Sequence, residues 1–130
     1  MRLGLVPLTA LHIWRIPAAL AFYVYGFAGE LPPLFWVLAG TGDLLAGIYA
    51  LGSLRAAPKP GYFKRFHLFG FADFVVAVGT GLTYTLINDP RMAPIAQWPM
   101  ALIPLFGVGL SGTTHLIAFD LLRKASRETR

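Results

Sequence analysis

Four runs of roughly twenty mostly apolar residues, Leu8 to Ala28, Leu34 to Leu54, Phe66 to Ile87 and Trp98 to Leu121, are separated by little more than turns. This pattern constrains the chain more than any motif, because about 20 apolar residues in a helix cross the ~30 Å hydrocarbon core of a bilayer. The connections are Gly29-Glu30-Leu31-Pro32-Pro33, Ala57-Pro58-Lys59-Pro60-Gly61 and Asn88-Asp89-Pro90, each placing proline where a helix cannot continue. Loops this short make consecutive helices antiparallel neighbours. The predicted fold is therefore all-α: a single transmembrane domain, residues 1–130, built as a four-transmembrane-helix up-down bundle. The first run is the least regular, being interrupted by His12, Arg15 and Pro17.

Composition excludes the soluble alternatives. Of 130 residues, 56% are hydrophobic and 13% charged, with a mean hydropathy of +0.62. A soluble chain this short buries only about 60–70% of its surface and would leave too much Leu, Phe, Val and Ala in water. The net charge of +5 would point to nucleic acid if the cations formed a surface patch. They lie between the apolar runs instead, so they read as a topology signal, and no nucleic-acid partner is expected. Cysteine is absent, which removes disulfides, thiol nucleophiles, Cys-ligated zinc and iron–sulfur clusters. No P-loop or hydrolase triad occurs, and Gly40-Thr41-Gly42 has no strand before it to make a dinucleotide site. No catalytic residue is assigned. An enzyme is disfavoured, although membrane-embedded acid-base work needs only an Asp and a His.

Orientation follows from Lys and Arg. Arg55, Lys59, Lys64 and Arg65 lie around the second connection, Arg123, Lys124, Arg127 and Arg130 in the tail, and Arg2 at the amino end, whereas the first connection has none and the third only Arg91. Both termini are expected on the cytoplasmic side. Arg2 before an apolar run, with small residues at Ala18, Ala19 and Ala21, also matches a cleaved signal peptide, but His12 and Arg15 break its apolar region. Trp14, Trp36, Trp98 and Tyr62 fall near the span ends as an interfacial belt.

Small and polar residues recur at i, i+3, i+7 spacing, which lines one face of a helix. They are His12, Arg15, Ala19 and Tyr23 in the first run, and Gly40, Asp43, Gly47 and Ala50 in the second. The third has Gly70, Asp73, Ala77 and Thr80, and the fourth Pro104, Gly107, Ser111, Thr114 and Ala118 with His115 beside them. These faces should meet at the bundle centre. Aligning Asp43 with Asp73 also superposes Gly40 to Gly47 on Gly70 to Ala77, a pattern that would relate two antiparallel helices as in inverted-repeat transporters.

At 1.5 Å per residue, Arg15, Asp73 and His115 lie roughly 10 Å inside the cytoplasmic boundary and Asp43 lies near the midplane. An unpaired charge at that depth costs at least ~2.5–3.5 kcal/mol, so Arg15 is expected to pair with Asp73 or Asp43. The other aspartate is left to a proton, a hydroxyl, a histidine or a cation. Arg15, Asp43, Asp73 and His115 are thus the predicted buried polar or ion-coupling network. Two of His12, His67 and His115 would suffice to ligate a haem, and Ser111, four residues before His115, leaves clearance for a macrocycle. His12 and His67, however, read as interface residues beside Trp14 and Arg65, and no metal site is assigned. Pro104 is expected to free the carbonyl of Met100 and kink the last helix.

Arg15-Ile16-Pro17-Ala18, Gly40 to Gly47, Phe69-Gly70 through Asp73, and Trp98-Pro99-Met100-Ala101-Leu102-Ile103-Pro104 followed by His115-Leu116 carry a resemblance over most of the chain. In these segments it is similar to an uncharacterised family of small bacterial polytopic integral membrane proteins. The resemblance implies the four spans and a bacterial cytoplasmic membrane location, but no activity. Where the family has a second proline soon after the Pro104 position, this chain has Gly107-Val108-Gly109.

Three functions remain in play. The first is a small accessory or scaffold subunit that packs against itself or a larger membrane complex. The second is a dimeric proton- or cation-coupled transporter of small solutes, with Asp43 and Asp73 as coupling carboxylates tuned by Arg15 and His115. The third is a haem, chlorin or quinone bound near His115, with His12 as a further candidate.

Overall fold

The computed structural model describes residues 4–54 and 59–128. Arg2, Arg55, Ala57, Pro58 and Arg130, which entered the topology argument, lie outside the described residues. The elements are α1 (Leu5–Ala10), a 3-10 turn (Leu11–Trp14), α2 (Arg15–Phe27), α3 (Pro33–Gly52), α4 (Pro60–Leu86), a 3-10 stretch (Pro90–Ala96), a π-helical turn (Ile103–Gly107) and α5 (Val108–Glu128). No strand occurs among the described residues. Four helical segments are long and apolar enough to cross a membrane: Leu5–Phe27, Pro33–Gly52, Gly61–Leu86 and Ile103–Glu128.

Local chemistry sets the boundaries. The Leu5–Phe27 segment tolerates Pro7 in its first turn, where the missing N–H has no intrahelical role. Ahead of Pro17 the helix tightens to 3-10 geometry, with the Arg15 N–H bonding the carbonyl of His12. Residues i and i+3 eclipse in such a turn, so His12 and Arg15 stand on the same side. Pro33 and Pro60 occupy the first positions of α3 and α4. At the end of α2, Gly29 takes φ 77°, and the N–H groups of Gly29 and Glu30 bond back to Gly26 and Tyr25 at 3.0 Å each. Asn88 does the same for α4 at φ 56°, with Asn88 and Asp89 bonding Thr85 and Tyr84. Both ends close as Schellman motifs.

α2 packs on α3, α3 on α4 and α4 on α5, while α1 reaches α5 and α4. The meeting faces are the small-residue stripes: Arg15, Ala18, Ala19, Phe22 and Gly26 from α2, and Ala39, Gly40, Asp43, Ala46, Gly47 and Ala50 from α3. α5 adds Ser111, Thr114, His115 and Ala118. At Gly47 the helices touch closely, since a Cβ there would lie 2.5 Å from Ile16 Cγ1 and 3.1 Å from the Ile16 backbone nitrogen. The outer surface carries large apolar side chains, among them Val24, Phe27, Leu86 and Leu105.

The last segment departs from expectation. Trp98 is not inside a helix but 78% exposed, and the long helix starts at Ile103 and runs to Glu128. Pro90, Pro94, Pro99 and Pro104 interrupt any continuous helix through this region. The chain instead folds Met92 and Met100 into an apolar cluster with Phe22, Leu31, Phe35 and Ala39. Pro104 does not orphan the Met100 carbonyl, which accepts from the Ile103 N–H at 3.0 Å. A π turn at the helix start replaces the expected mid-span kink.

Asp89 caps the 3-10 stretch. Its carboxylate accepts from the Arg91 backbone N–H at 3.0 Å and from the Arg91 guanidinium at 3.0 and 2.6 Å. The guanidinium bonds first, then the backbone bond, hold Asp89 below the ordinary carboxylate range. A depressed folded-state pKa means that this contribution is complete above the unfolded value near ~3.9 and is lost as pH falls through the folded value. Amide exchange at Arg91 and Met92, corrected for intrinsic rates, should therefore be unchanged from about pH 7 to pH 5, rising only below about pH 4. Asp89→Ala should raise it at neutral pH.

Candidate functional site

Arg15 is 2% exposed and stands where α2, α3 and α4 meet. Its Nε donates to Asp43 Oδ1 at 2.6 Å, its Nη2 donates to Asp73 Oδ2, and its Nη1 reaches the Gly70 carbonyl at 3.4 Å. Asp43 is buried with it and Asp73 is partly buried, each side chain 9% exposed. The sequence-based expectation of one paired and one free aspartate is thereby corrected. The guanidinium carries five N–H donors in a rigid fork, enough for two carboxylates on different edges. With both aspartates ionised, the group holds one net negative charge.

The glycines beside these aspartates make room for them. A Cβ at Gly42 would collide with the carboxylate of Asp73, and one at Gly40 would press on Phe22 Cβ at 3.2 Å. Gly70 separates the charged group from a second polar cluster. A Cβ there would lie 2.6 Å from His115 Cε1, 2.9 Å from His115 Nε2 and 3.6 Å from Arg15 Nη1.

That second cluster is made of histidines. His12, His67 and His115 are 1%, 0% and 0% exposed, so His12 and His67 are core residues and not the interface residues expected. His115, grouped with the aspartates on sequence, hydrogen-bonds His67 instead, Nδ1 to Nδ1 at 2.9 Å. Thr9 Oγ1 meets His67 Nε2 at 3.2 Å, and Thr114 Oγ1 meets His12 Nε2 at 2.9 Å. The rings of His12 and His115 lie 4.1 Å apart, with Phe66 and Phe71 packed around them. His12 and His115, the candidate haem or chlorin ligands, are thus packed against each other and against aromatic rings. Thr9 is the residue of this cluster that sequence reasoning missed; His67 reads in the sequence as an interface residue, and Thr114 as part of the small-residue face without a role. The available signal for His67 was its position three residues before Gly70, on the face that also carries Asp73.

On the other side of Arg15 lies a cavity of about 270 Å³. Phe22, Phe35, Phe74 and Ile103 form much of its wall, and Arg15, Asp43, Trp14, Thr85 and Ser111 give it polar groups. Trp14 Nε1 and Ser111 Oγ are buried and find no hydrogen-bond partner among the described residues. Buried polar atoms of this kind are rare and need an explanation. Thus Arg15, Asp43 and Asp73 come together, while His12 and His115 belong to a neighbouring cluster.

Neither a curated protein nor a solved structure matches the chain. The family model described as Domain of unknown function (DUF8737) matches residues 3–123, and the chain belongs to that family.

Proposed function

We propose that this is an integral protein of the bacterial cytoplasmic membrane, an up-down four-helix bundle with both termini cytoplasmic, that binds a small, mostly apolar molecule bearing a hydrogen-bond acceptor. The observation that carries the binding role is the cavity beside Arg15, two of whose lining residues, Trp14 and Ser111, have buried side-chain donors, Nε1 and Oγ, that are unpartnered among the described residues. Apolar pockets with a few convergent polar groups are the usual form of small-molecule sites. A void of ~150 Å³ already accepts benzene, so the larger cavity here suits a substituted ring such as a quinone head group. Indole N–H only donates, which selects an acceptor such as a carbonyl oxygen. The Arg15 group fixes three helices around the site, while Lys59, Lys64, Arg65, Arg123, Lys124 and Arg127 support the orientation.

The test is equilibrium binding of a short-chain 1,4-naphthoquinone to the protein in nanodiscs, read by quenching of tryptophan fluorescence and by thermal shift. One saturable site per chain is expected. Ser111→Ala should weaken it by roughly three- to tenfold, the range of one neutral hydrogen bond. Ala77→Phe, or the milder Ala77→Leu, should abolish it by filling the cavity while leaving the helical content unchanged. Saturable binding that is indifferent to these substitutions would remove the proposal, as would no saturable binding of quinone, phenol or naphthalene probes.

An accessory-subunit role is favoured by a separate observation. Only 17% of the most apolar stretch of Gly61–Leu86 is buried, against 39%, 44% and 28% for the other three segments. A partner helix or a second copy would pack there. Native mass spectrometry after gentle extraction decides it: a larger assembly supports this role, and a partner-free monomer ends it.

A further inference from the structure

We propose that His12, His67 and His115 form a transition-metal site that takes a divalent cation such as Zn²⁺ or Co²⁺. One ring nitrogen from each lies within 4.8 Å of the others, and the three residues come from the 3-10 turn, α4 and α5. In a tetrahedral site with bonds of ~2.0–2.1 Å, ligand nitrogens lie roughly 3.3 Å apart, so closure onto an ion takes shifts of about an ångström or less. None of the three histidines lines the cavity described above, and the proposal does not depend on that cavity.

The hydrogen bonding favours an ion over simple interhelical bonding. Thr114 has one hydroxyl proton, and its Oγ1 lies 2.8 Å from the Leu110 carbonyl and 3.0 Å from that of Ser111. With that proton committed to the backbone, Oγ1 accepts from His12 Nε2–H, leaving His12 Nδ1 as a bare lone pair. That atom is buried without a partner among the described residues, a lone pair that a purely structural network would satisfy. The Nε2 of His67 lies 3.2 Å from Thr9 Oγ1, a contact in which either atom can donate, and its Nδ1 faces His115 Nδ1 at 2.9 Å. That gap holds one proton or, widened slightly, two lone pairs on one ion. A metal-bound histidine characteristically gives its other nitrogen to such an outer partner, which sets tautomer and ring direction.

An all-imidazole donor set suits Zn, Cu, Fe or Ni, and three protein ligands leave a coordination position open.

The experiment uses the full chain, chelator-stripped and reconstituted in nanodiscs, titrated with Co²⁺ and then Zn²⁺. One Co²⁺ per chain is expected, with visible d–d bands of a four- or five-coordinate ion that Zn²⁺ bleaches. His67→Gln and His115→Gln should each weaken binding at least about a hundredfold, and Thr114→Val by about 10–100-fold. The threonine variant keeps every ligand, so it remains informative should a histidine variant fail to fold. Two results would overturn the site. One is folded wild-type protein that takes up neither ion in excess; the other is uptake that His67→Gln and Thr114→Val leave unweakened.

Discussion

Replacing Arg15 with methionine should destabilise the protein by about 3–5 kcal/mol, the cost of leaving buried carboxylates without their counter-charge. Nothing else described near them supplies a cation, since Asp43 and Asp73 both bond Arg15. The informative comparison is with the carboxylates. Asp73→Asn removes one of two negative charges and leaves a neutral Arg15–Asp43 pair, so it should cost much less than the arginine substitution. The triple variant Arg15→Met, Asp43→Asn, Asp73→Asn removes every charge, and buried ion pairs replaced wholesale by neutral groups often lose little stability. It should recover most of the loss. Reversible unfolding in bicelles, followed by steric trapping, measures all of them. If Arg15→Met proves no worse than Asp73→Asn, the arginine is not the centre of the network.

A single methyl group at Gly70 should disturb two sites at once. The added Cβ would lie 2.6 Å from His115 Cε1, and that ring is held by His12 at 4.1 Å and by Phe66 and Phe71. With no free direction for the ring, Gly70→Ala should cost roughly 1–3 kcal/mol, as overpacking does in well-packed cores. Gly79→Ala and Gly109→Ala are the controls, because a Cβ at either meets nothing within 4 Å. They should be neutral or stabilising by up to about 1 kcal/mol, from the better helix propensity of alanine. Equal effects at Gly70 and Gly79 would contradict the packing described here.

The helices were legible because their signal is length and hydropathy, which depend on no partner. The small-residue stripes were legible for a similar reason. The spacing of Gly40, Asp43 and Gly47 marks one helical face whatever it packs against. Pairing of the buried charges was only half legible. That Arg15 needs a carboxylate follows from charge, but that it takes both depends on the distance between α3 and α4, which no single helix encodes. The histidines were misplaced because sequence position near Trp14 or Arg65 reports depth and not direction. His12 turns inward through a local 3-10 geometry, and His67 through the rotation of α4. The region from Pro90 to Pro104 was misjudged for the opposite reason, since its apolar residues satisfy a hydropathy count while its prolines forbid the helix.

The position of Arg15, the one buried arginine among the described residues, also bears on how such a chain is made. Arg15 precedes its partners Asp43 and Asp73 by 28 and 58 residues. If the chain spans the membrane as proposed, the Leu5–Phe27 segment therefore brings Arg15 to the bilayer ahead of either carboxylate, at a cost of ~2.5–3.5 kcal/mol for a charge at a helix centre. Its neutraliser emerges only with the next segment. A membrane-inserted chain of this design has reason to wait, so that its first two helices enter the bilayer together as a charge-matched hairpin. An amino-terminal fragment ending before Asp43 would then translocate poorly, while one extending through Gly52 would not.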